Sequence, residues 1–149
     1  MNNVFFKITV PSDNDGFITI QCPFCNDRFK LTVEDFKRED IIEIFCPYCG
    51  LRDEPSHFYT DEIVEQAQVV ARNYTKSLLS QSSKDLEKTF KGKKHISFKA
   101  GKPIKMESEK ILFEHEELEV TNLDCCQFIV KTRALSKEIG IYCPCCGVR

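Results

Sequence analysis

The sequence lacks any apolar run approaching the roughly 18 residues that a membrane-spanning helix needs, and this absence argues against a transmembrane protein. Residues 1–10 contain one lysine and a short apolar stretch, without the small-residue cleavage pattern of a secretory signal. Thiols of a protein that is not exported stay reduced. We therefore expect a cytoplasmic protein that contacts no membrane and whose cysteines are not paired in disulfides.

The common signatures of catalysis are also missing. The sequence has no His-Glu-x-x-His, no His-x-Glu followed by paired cysteines, no glycine-rich phosphate loop and no Gly-x-Ser-x-Gly. The acidic group formed by Glu114, Glu116, Glu117 and Glu119 is more typical of a solvated strand or turn than of acid–base chemistry. We therefore expect no enzymatic activity, and a thiol redox or zinc enzyme ranks third among the functions considered.

The sequence also lacks a large excess of either positive or negative charge. The net charge is −2 and the isoelectric point is near 6.0, so the whole chain has no general attraction for nucleic acid. With 42% hydrophobic and 30% charged residues, the composition is that of a globular protein. The 149 residues fit one domain or two small lobes, and lobes of about 50 residues need a covalent or metal cross-link.

Cysteine is what the sequence has in excess, with nine residues. The pairs Cys22/Cys25 and Cys46/Cys49 each have two intervening residues, and twenty residues separate the pairs. Two such pairs supply the four soft ligands that Zn²⁺ prefers in a tetrahedron. The sequence therefore predicts a closed zinc site at these four cysteines.

These turns, Cys-Pro-Phe-Cys and Cys-Pro-Tyr-Cys-Gly, resemble the knuckles of the zinc-ribbon family over residues 17–52. Asn26 stands where glycine is usual, and asparagine tolerates the same left-handed backbone. The resemblance implies a structural metal and does not identify a partner. Two alternatives remain: a rubredoxin-like iron site and, more remotely, a glutaredoxin-like redox motif, which Gly50 and Pro55 oppose because the redox cysteine needs a helix N-terminus.

A second, less regular cysteine group lies near the C-terminus. Residues 141–147 (Ile-Tyr-Cys-Pro-Cys-Cys-Gly) repeat the pattern of residues 44–50 (Ile-Phe-Cys-Pro-Tyr-Cys-Gly). Asn122 and Leu123 fall where the upstream pair would have its first cysteine. The simplest ligand set leaves Cys145 spare, with His115 as an alternative ligand and a metal-free remnant as another alternative; His57 and His95 are bystanders. The predicted second site consists of Cys125, Cys126, Cys143 and Cys146.

Between the two groups the pattern changes to that of a helix. Thr60 is a suitable N-cap, and Ile63, Ala67, Val70, Tyr74 and Leu78 form an apolar stripe that can continue to Phe90 before Gly92. Short β-type runs elsewhere are Val4–Val10, Phe17–Gln21, Phe29–Val33, Ile41–Phe45, His95–Phe98, Leu118–Val120, Phe128–Val130 and Ile139–Tyr142. The predicted fold is a small α+β metal-stabilised protein, with two β-rich zinc-ribbon-like modules (1–58 and 93–149) flanking an amphipathic helical connector (59–92).

One stretch is strongly basic. Seven lysines and no acid occur between residues 88 and 105, interleaved with Phe90 and Phe98. The seven are Lys88, Lys91, Lys93, Lys94, Lys99, Lys102 and Lys105. Such a segment contacts phosphates without reading sequence, whereas residues 17–58 carry a net charge of −3, which favours a protein partner. We predict a zinc-binding adaptor that mediates protein interactions in a nucleic-acid-handling assembly; the alternative is direct, sequence-nonspecific nucleic-acid binding by the lysines.

Overall fold

The computed structural model describes residues 7–112 and 117–149 and shows an α+β protein with two antiparallel sheets and one long helix. The elements before the long helix are β1 (Phe17–Gln21), β2 (Arg28–Thr32), α1 (Val33–Phe36), β3 (Ile44–Phe45), β4 (Arg52–Asp53) and a 3-10 turn (Pro55–Phe58). The long helix is α2 (Asp61–Phe90), and β5 (Glu119–Leu123), β6 (Phe128–Thr132) and α3 (Ala134–Ile139) follow it.

The larger sheet combines strands from the N-terminal and C-terminal parts of the chain. Its strand order is β1-β2-β6-β5, all antiparallel, and β2 pairs with β6 through Lys30 opposite Lys131 and Leu31 opposite Val130. As a result Thr9–Ile63 form one compact unit with Leu112 and residues 117–149, while Val64–Ile111 belong to a second unit. The module boundaries at residues 58 and 92 stay a prediction.

One face of this sheet carries the core. Because side chains alternate along a strand, Ile18 and Ile20 point the same way as Phe29 and Leu31 on β2 and as Phe128 and Val130 on β6. All six are buried, and the same cluster contains Ile44, Phe58 and Ile141 together with the thiols of Cys22 and Cys46. Residues from both cysteine groups thus share a single core.

The opposite face holds two buried lysines directly across from each other, an arrangement that is unfavourable unless the charges are neutralised. Lys131 Nζ donates to Asp13 Oδ2 at 2.7 Å and to Asp15 Oδ2 at 2.9 Å, and Lys30 Nζ lies 3.5 Å from Asp13 Oδ2. Burial raises the pKa of Asp13, but the hydrogen bond from Lys131 and those from two backbone N–H groups outweigh it and lower that pKa to about 2. The loop before β1 therefore neutralises the lysines.

The repeated sequence pattern corresponds to a reciprocal contact between the two cysteine turns. The N–H of Phe45 donates to Pro144 O at 2.9 Å, and the N–H of Tyr142, its counterpart in the repeat, donates to Pro47 O at 3.0 Å. The repeat also extends two residues further, because Arg52 stacks on the Phe45 ring and Arg149 on the Tyr142 ring, at 5.9 and 5.5 Å. The two turns are therefore related by an approximate twofold exchange of the same contacts.

The long helix confirms the sequence signals for its two ends, whereas Tyr74 and Leu78 of the predicted apolar stripe are exposed. Ile63 N–H donates to Thr60 Oγ1 at 3.4 Å, as an N-cap requires, and the helix ends before Gly92, whose φ is 88°. Helix side chains then hold the chain that follows it. Asn73 Oδ1 and Nδ2 bond the backbone N–H and C=O of Glu107 at 2.8 and 2.9 Å, and Gln66 Oε1 accepts from Lys110 N–H at 2.9 Å.

The predicted strand at His95–Phe98 is wrong. No strand occurs between residues 91 and 112, and the helix side chains named above bond the backbone at Glu107 and Lys110. The strand at Ile139–Tyr142 is also wrong, since Ile139 ends α3 and Gly140 has a φ of 103°. Of Ile41–Phe45 only the last two residues are strand. Residues 7–10 form none, and the rest of Val4–Val10 lies outside the described residues.

Candidate metal centres

The first cysteine group converges at the ends of two hairpins. The four Sγ atoms of Cys22, Cys25, Cys46 and Cys49 lie within 4.8 Å of one another. The sulfurs of Cys22 and Cys49 are 3.7 Å apart, as are those of Cys25 and Cys46. Cys22 and Cys46 are fully buried and belong to the core, so this cluster and the packing of the sheet depend on each other.

Both turns of this cluster have the same backbone geometry. Asn26 N–H donates to Cys22 O at 3.0 Å, and Gly50 N–H donates to Cys46 O at 2.9 Å. These closures place Asn26 and Gly50 at φ values of 60° and 74°, the left-handed conformation that the sequence predicts for both. Each turn therefore orients its two sulfurs toward the same point.

The thiols of the first cluster have strongly perturbed proton affinities. Burial raises the pKa of Cys22, but hydrogen bonds from the N–H groups of Cys25 and Phe24 outweigh burial and lower it overall. Burial, assisted by the neighbouring Cys22 thiol, raises the pKa of Cys25 to about 11. Burial also raises the pKa of Cys46. Without a cation, Cys25 and Cys46 would keep their protons at neutral pH, so binding a metal must displace those two protons.

The second group also converges. The Sγ atoms of Cys125, Cys126, Cys143 and Cys146 lie within 4.8 Å of one another, and those of Cys125 and Cys146 are 3.7 Å apart. Gly147 N–H donates to Cys143 O at 2.8 Å with a φ of 72°, which repeats the turn at Gly50. Cys125 and Cys146 are exposed, whereas no member of the first cluster is. The two clusters thus have the same kind of donor atom and differ in solvent access.

The turn between β5 and β6 explains the irregular cysteine spacing. Leu123 pairs with Phe128 across a four-residue turn, and Gln127 has a φ of 55°, like Asn26 in the first turn. Leu123 thus occupies the position that Cys22 holds in the first turn, and it packs against the core. Cys125, two residues later in the turn, supplies the missing sulfur.

Hydrogen bonding among the sulfurs is the main cause of the raised pKa values of Cys125 and Cys126 in the second cluster. A hydrogen bond with Cys143 raises the pKa of Cys125 to about 11. Hydrogen bonds with Cys146 and then Cys145 raise that of Cys126 to about 12. The N–H of Val148 lowers the pKa of Cys146.

The donor sets fit a divalent soft cation. Four sulfurs per cluster would complete the tetrahedral coordination of such an ion and would leave no position for water or substrate, as is typical of structural sites. Both clusters could hold a metal ion, and zinc is a plausible one. The arrangement is compatible with zinc-ribbon-like modules. Of the histidines, His57 pairs with Asp53 at 2.8 Å, His95 is exposed, and His115 lies outside the described residues.

The lysine segment (residues 88–105) lies in the unit formed by Val64–Ile111, and its seven lysines are all exposed. Within the described ranges none of the seven has a carboxylate within 4.0 Å. By contrast, Lys76 and Arg72 bind Glu107 at 2.9 and 2.8 Å and lower its pKa to about 2, and Lys110 binds Glu65 at 2.7 Å. Glu107 and Glu65 are thus paired with other cations, and the lysine segment keeps its charge.

Of the other acidic residues, Glu114 and Glu116 lie outside the described residues. Glu117 is exposed, and Glu119 lies 3.9 Å from Lys137. Comparison with protein-family models, with curated proteins and with solved structures returned no match. No helix in residues 7–112 or 117–149 has both the length and the apolarity of a membrane span.

Proposed function

We propose that this chain is a non-enzymatic binding protein of zinc-ribbon type, in which one Zn²⁺ at each cysteine cluster is structural. The observation that carries the proposal is that each cluster supplies four thiols and continues directly into the common core. A metal whose coordination is complete stabilises a surface and does not activate a substrate. Zinc is preferred to iron because it holds four thiolates without redox change in a reducing compartment.

The surface around the turns supports a protein partner. Phe24, within the first turn, is 52% exposed, and Leu51 and Val148, each directly after the glycine of a turn, are 51% and 60% exposed. Apolar side chains on a rigid, metal-held turn lose little conformational freedom when a partner covers them. We therefore assign the chain an adaptor role in which these turns contact another protein, within an assembly that handles nucleic acid.

Native mass spectrometry with elemental analysis of freshly purified protein tests this proposal. We expect two zinc ions per chain and a co-purifying protein. Phe24→Ser with Leu51→Ser should remove that protein and keep both metals, because neither side chain is a ligand. Leu135→Ser, which changes a 71% exposed residue of α3, is the matched control and should retain the partner. Iron in place of zinc, or a compact metal-free protein, would contradict the proposal.

A second candidate function rests on the lysine segment. Seven exposed lysines without carboxylate partners in the described part of the chain form a local cationic surface on a protein of net charge −2. The segment begins at the end of α2 and is followed by Glu107, which the helix holds at its backbone and carboxylate. Because both ends of the lysine segment are fixed, the segment loses less conformational entropy when it binds phosphates. We infer sequence-indifferent binding of nucleic acid there.

Charge reversal tests this candidate. Lys91→Glu, Lys93→Glu and Lys94→Glu together should weaken binding to single-stranded nucleic acid roughly tenfold or more and reduce the salt slope by about 2 to 3, since each lysine releases about one counterion. A salt-titrated fluorescence anisotropy experiment measures both. Lys7→Glu, Lys37→Glu and Lys137→Glu make the same change in net charge elsewhere and serve as control. If the two triple variants bind nucleic acid with equal affinity, the lysine segment is not the binding site.

A further inference from the structure

A cavity of about 370 Å³ lies where the C-terminal end of α2 meets the lysine segment. Lys84 and Lys88 on the helix and Lys91 and Lys93 just after it line this cavity, and Glu87 is its one acidic lining residue. Within the described ranges none of these side chains forms an ion pair, and all of them belong to one compact unit. A cavity of this size, with four lysines against one carboxylate, fits an anionic ligand.

Two phenylalanine rings give the same cavity an aromatic wall. Lys93 Nζ lies 5.2 Å from the centroid of the Phe90 ring, so a cation already covers one face of that ring. Phe98 also lines the cavity and is 38% exposed, and in the described part of the chain no ring or cation stacks on it. A planar base can therefore stack on Phe98 without displacing another group.

A second cavity, of about 450 Å³, lies between α2 and residues 100–106. Lys84 lines this cavity as well as the first, so the two adjoin at its side chain. Ser77, Ser80 and Gln81 line the second cavity from the helix and can donate hydrogen bonds to sugar or phosphate oxygens. The two cavities thus meet at one cation, as two successive nucleosides of a strand meet at one phosphate.

We propose that these two cavities bind successive nucleotides of single-stranded nucleic acid, with an unpaired base stacked on Phe98 and the adjoining phosphate bound by Lys84. The proposal rests on the second candidate function and deepens it, because it names the strandedness of the ligand and the residue that receives a base. A duplex binds less well there, since a base must leave its own stack and pair before it can enter the cavity. The strand binds without base preference, because every base has a face that can stack.

Fluorescence anisotropy of the zinc-loaded full chain tests this with three labelled probes: a short oligothymidine, its duplex with oligoadenosine, and an abasic strand with the same number of phosphates. Phe98→Leu should weaken oligothymidine binding roughly tenfold, because it removes the stacking face. It should leave the salt slope and the affinity for the duplex and the abasic strand unchanged, because it removes no charge. Ile96→Leu is the matched control, since Ile96 is 57% exposed in the same segment and lines neither cavity.

A fluorescent reporter gives a second measurement that does not depend on affinity. The chain has no tryptophan, so Phe98→Trp introduces a single indole at the stacking position. We expect saturating oligothymidine to quench its fluorescence and the abasic strand to leave it unchanged, because only a base can stack on the indole. Ile96→Trp places the indole two residues away, outside both cavities, and should show little quenching.

The outcomes distinguish this proposal from nucleic-acid binding itself. If the Lys91, Lys93 and Lys94 triple variant loses affinity while Phe98→Leu binds oligothymidine like the wild type, the lysines bind phosphates but the cavity takes no base, which overturns the proposal. Equal quenching in Phe98→Trp and Ile96→Trp would also overturn it. If the wild-type chain binds none of the probes, the second candidate function fails as well. A polyglutamate peptide of equal charge that binds as tightly, and with the same dependence on Phe98, would assign the cavity to an acidic protein instead.

Discussion

Replacing Cys46 by serine is expected to remove the first metal and to unfold both halves of the cysteine-containing unit, Thr9–Ile63 together with residues 117–149. Cys46 is fully buried, and its sulfur lies 3.7 Å from that of Cys25. Structural zinc supplies an apparent free energy on the order of 10 kcal/mol in small domains, comparable to the total stability of a typical domain. A serine hydroxyl cannot replace the thiolate, so most of that free energy is lost.

Unfolding should extend beyond the N-terminal half because the core is continuous. Val130 on β6 packs in the same cluster as Ile20 on β1, and Phe45, next to Cys46, donates its N–H to the turn of the second cluster. Loss of the first turn therefore removes a hydrogen-bonding partner and a packing surface from the second. No independent core remains for β5 and β6 within the described residues.

Amide chemical-shift dispersion by NMR and zinc stoichiometry are the measurements for this variant. We expect the amide resonances of both halves to lose their chemical-shift dispersion. We also expect the chain to retain less than one equivalent of tightly bound zinc. Cys145→Ser is the matched control, since it makes the same atomic change in the same unit outside the eight clustered cysteines, and it should keep a native spectrum. A Cys46→Ser spectrum in which residues 117–149 remain dispersed would show that the second half folds alone.

The parts of the molecule that the sequence predicted well are those encoded locally. Cys22-Pro-Phe-Cys25 and Cys46-Pro-Tyr-Cys49 set their own turns, and the N-cap at Thr60 and the breaker at Gly92 bound α2. Each signal depends on contacts within about five residues. For this reason the bounds of α2 and the left-handed residues Asn26 and Gly50 are confirmed.

What the sequence did not reveal depends on distant partners. Pairing of β2 with β6 joins residues about a hundred positions apart, and no local pattern encodes it. The same holds for Glu107 and Lys110, whose backbone groups bond to Asn73 and Gln66 on α2. The cysteine turn between β5 and β6 could not be recognised from the sequence, because Leu123 stands where its first cysteine would be. The hairpin keeps the geometry of the turn without that cysteine, and Cys125 supplies the sulfur from another position.

The reciprocal contact between the turns predicts a large effect of Gly147→Ala. This change should destabilise the cysteine-containing unit more than any other glycine-to-alanine change in that unit. A β-carbon at Gly147 would lie 2.6 Å from two ring carbons of Phe45 and 3.1 Å from the ring atom nearest the backbone. The ring cannot relieve this by moving its far end alone. Gly147 also has a φ of 72°, which costs an alanine roughly 1 kcal/mol or more.

Two other glycines separate backbone strain from the clash. Gly50, the counterpart of Gly147 in the repeat, has a φ of 74° and would place a β-carbon 3.2 Å from the outer atoms of the Tyr142 ring. Gly16, in the loop before β1, has a φ of 82° and nothing within 4 Å. Gly16→Ala therefore measures strain alone, and the excess in the other two variants measures the ring contacts.

We expect losses in the free energy of unfolding of about 1 kcal/mol for Gly16→Ala, more for Gly50→Ala, and about 3 kcal/mol or more for Gly147→Ala. Urea denaturation in the presence of zinc gives all three, and zinc stoichiometry shows whether the second metal is lost with Gly147. This order follows because Phe45 and Tyr142 each cover the glycine of the opposite turn, so that the two clusters depend on each other. Equal losses for Gly147→Ala and Gly16→Ala would mean that Phe45 moves aside freely and that the turns are not coupled through this contact.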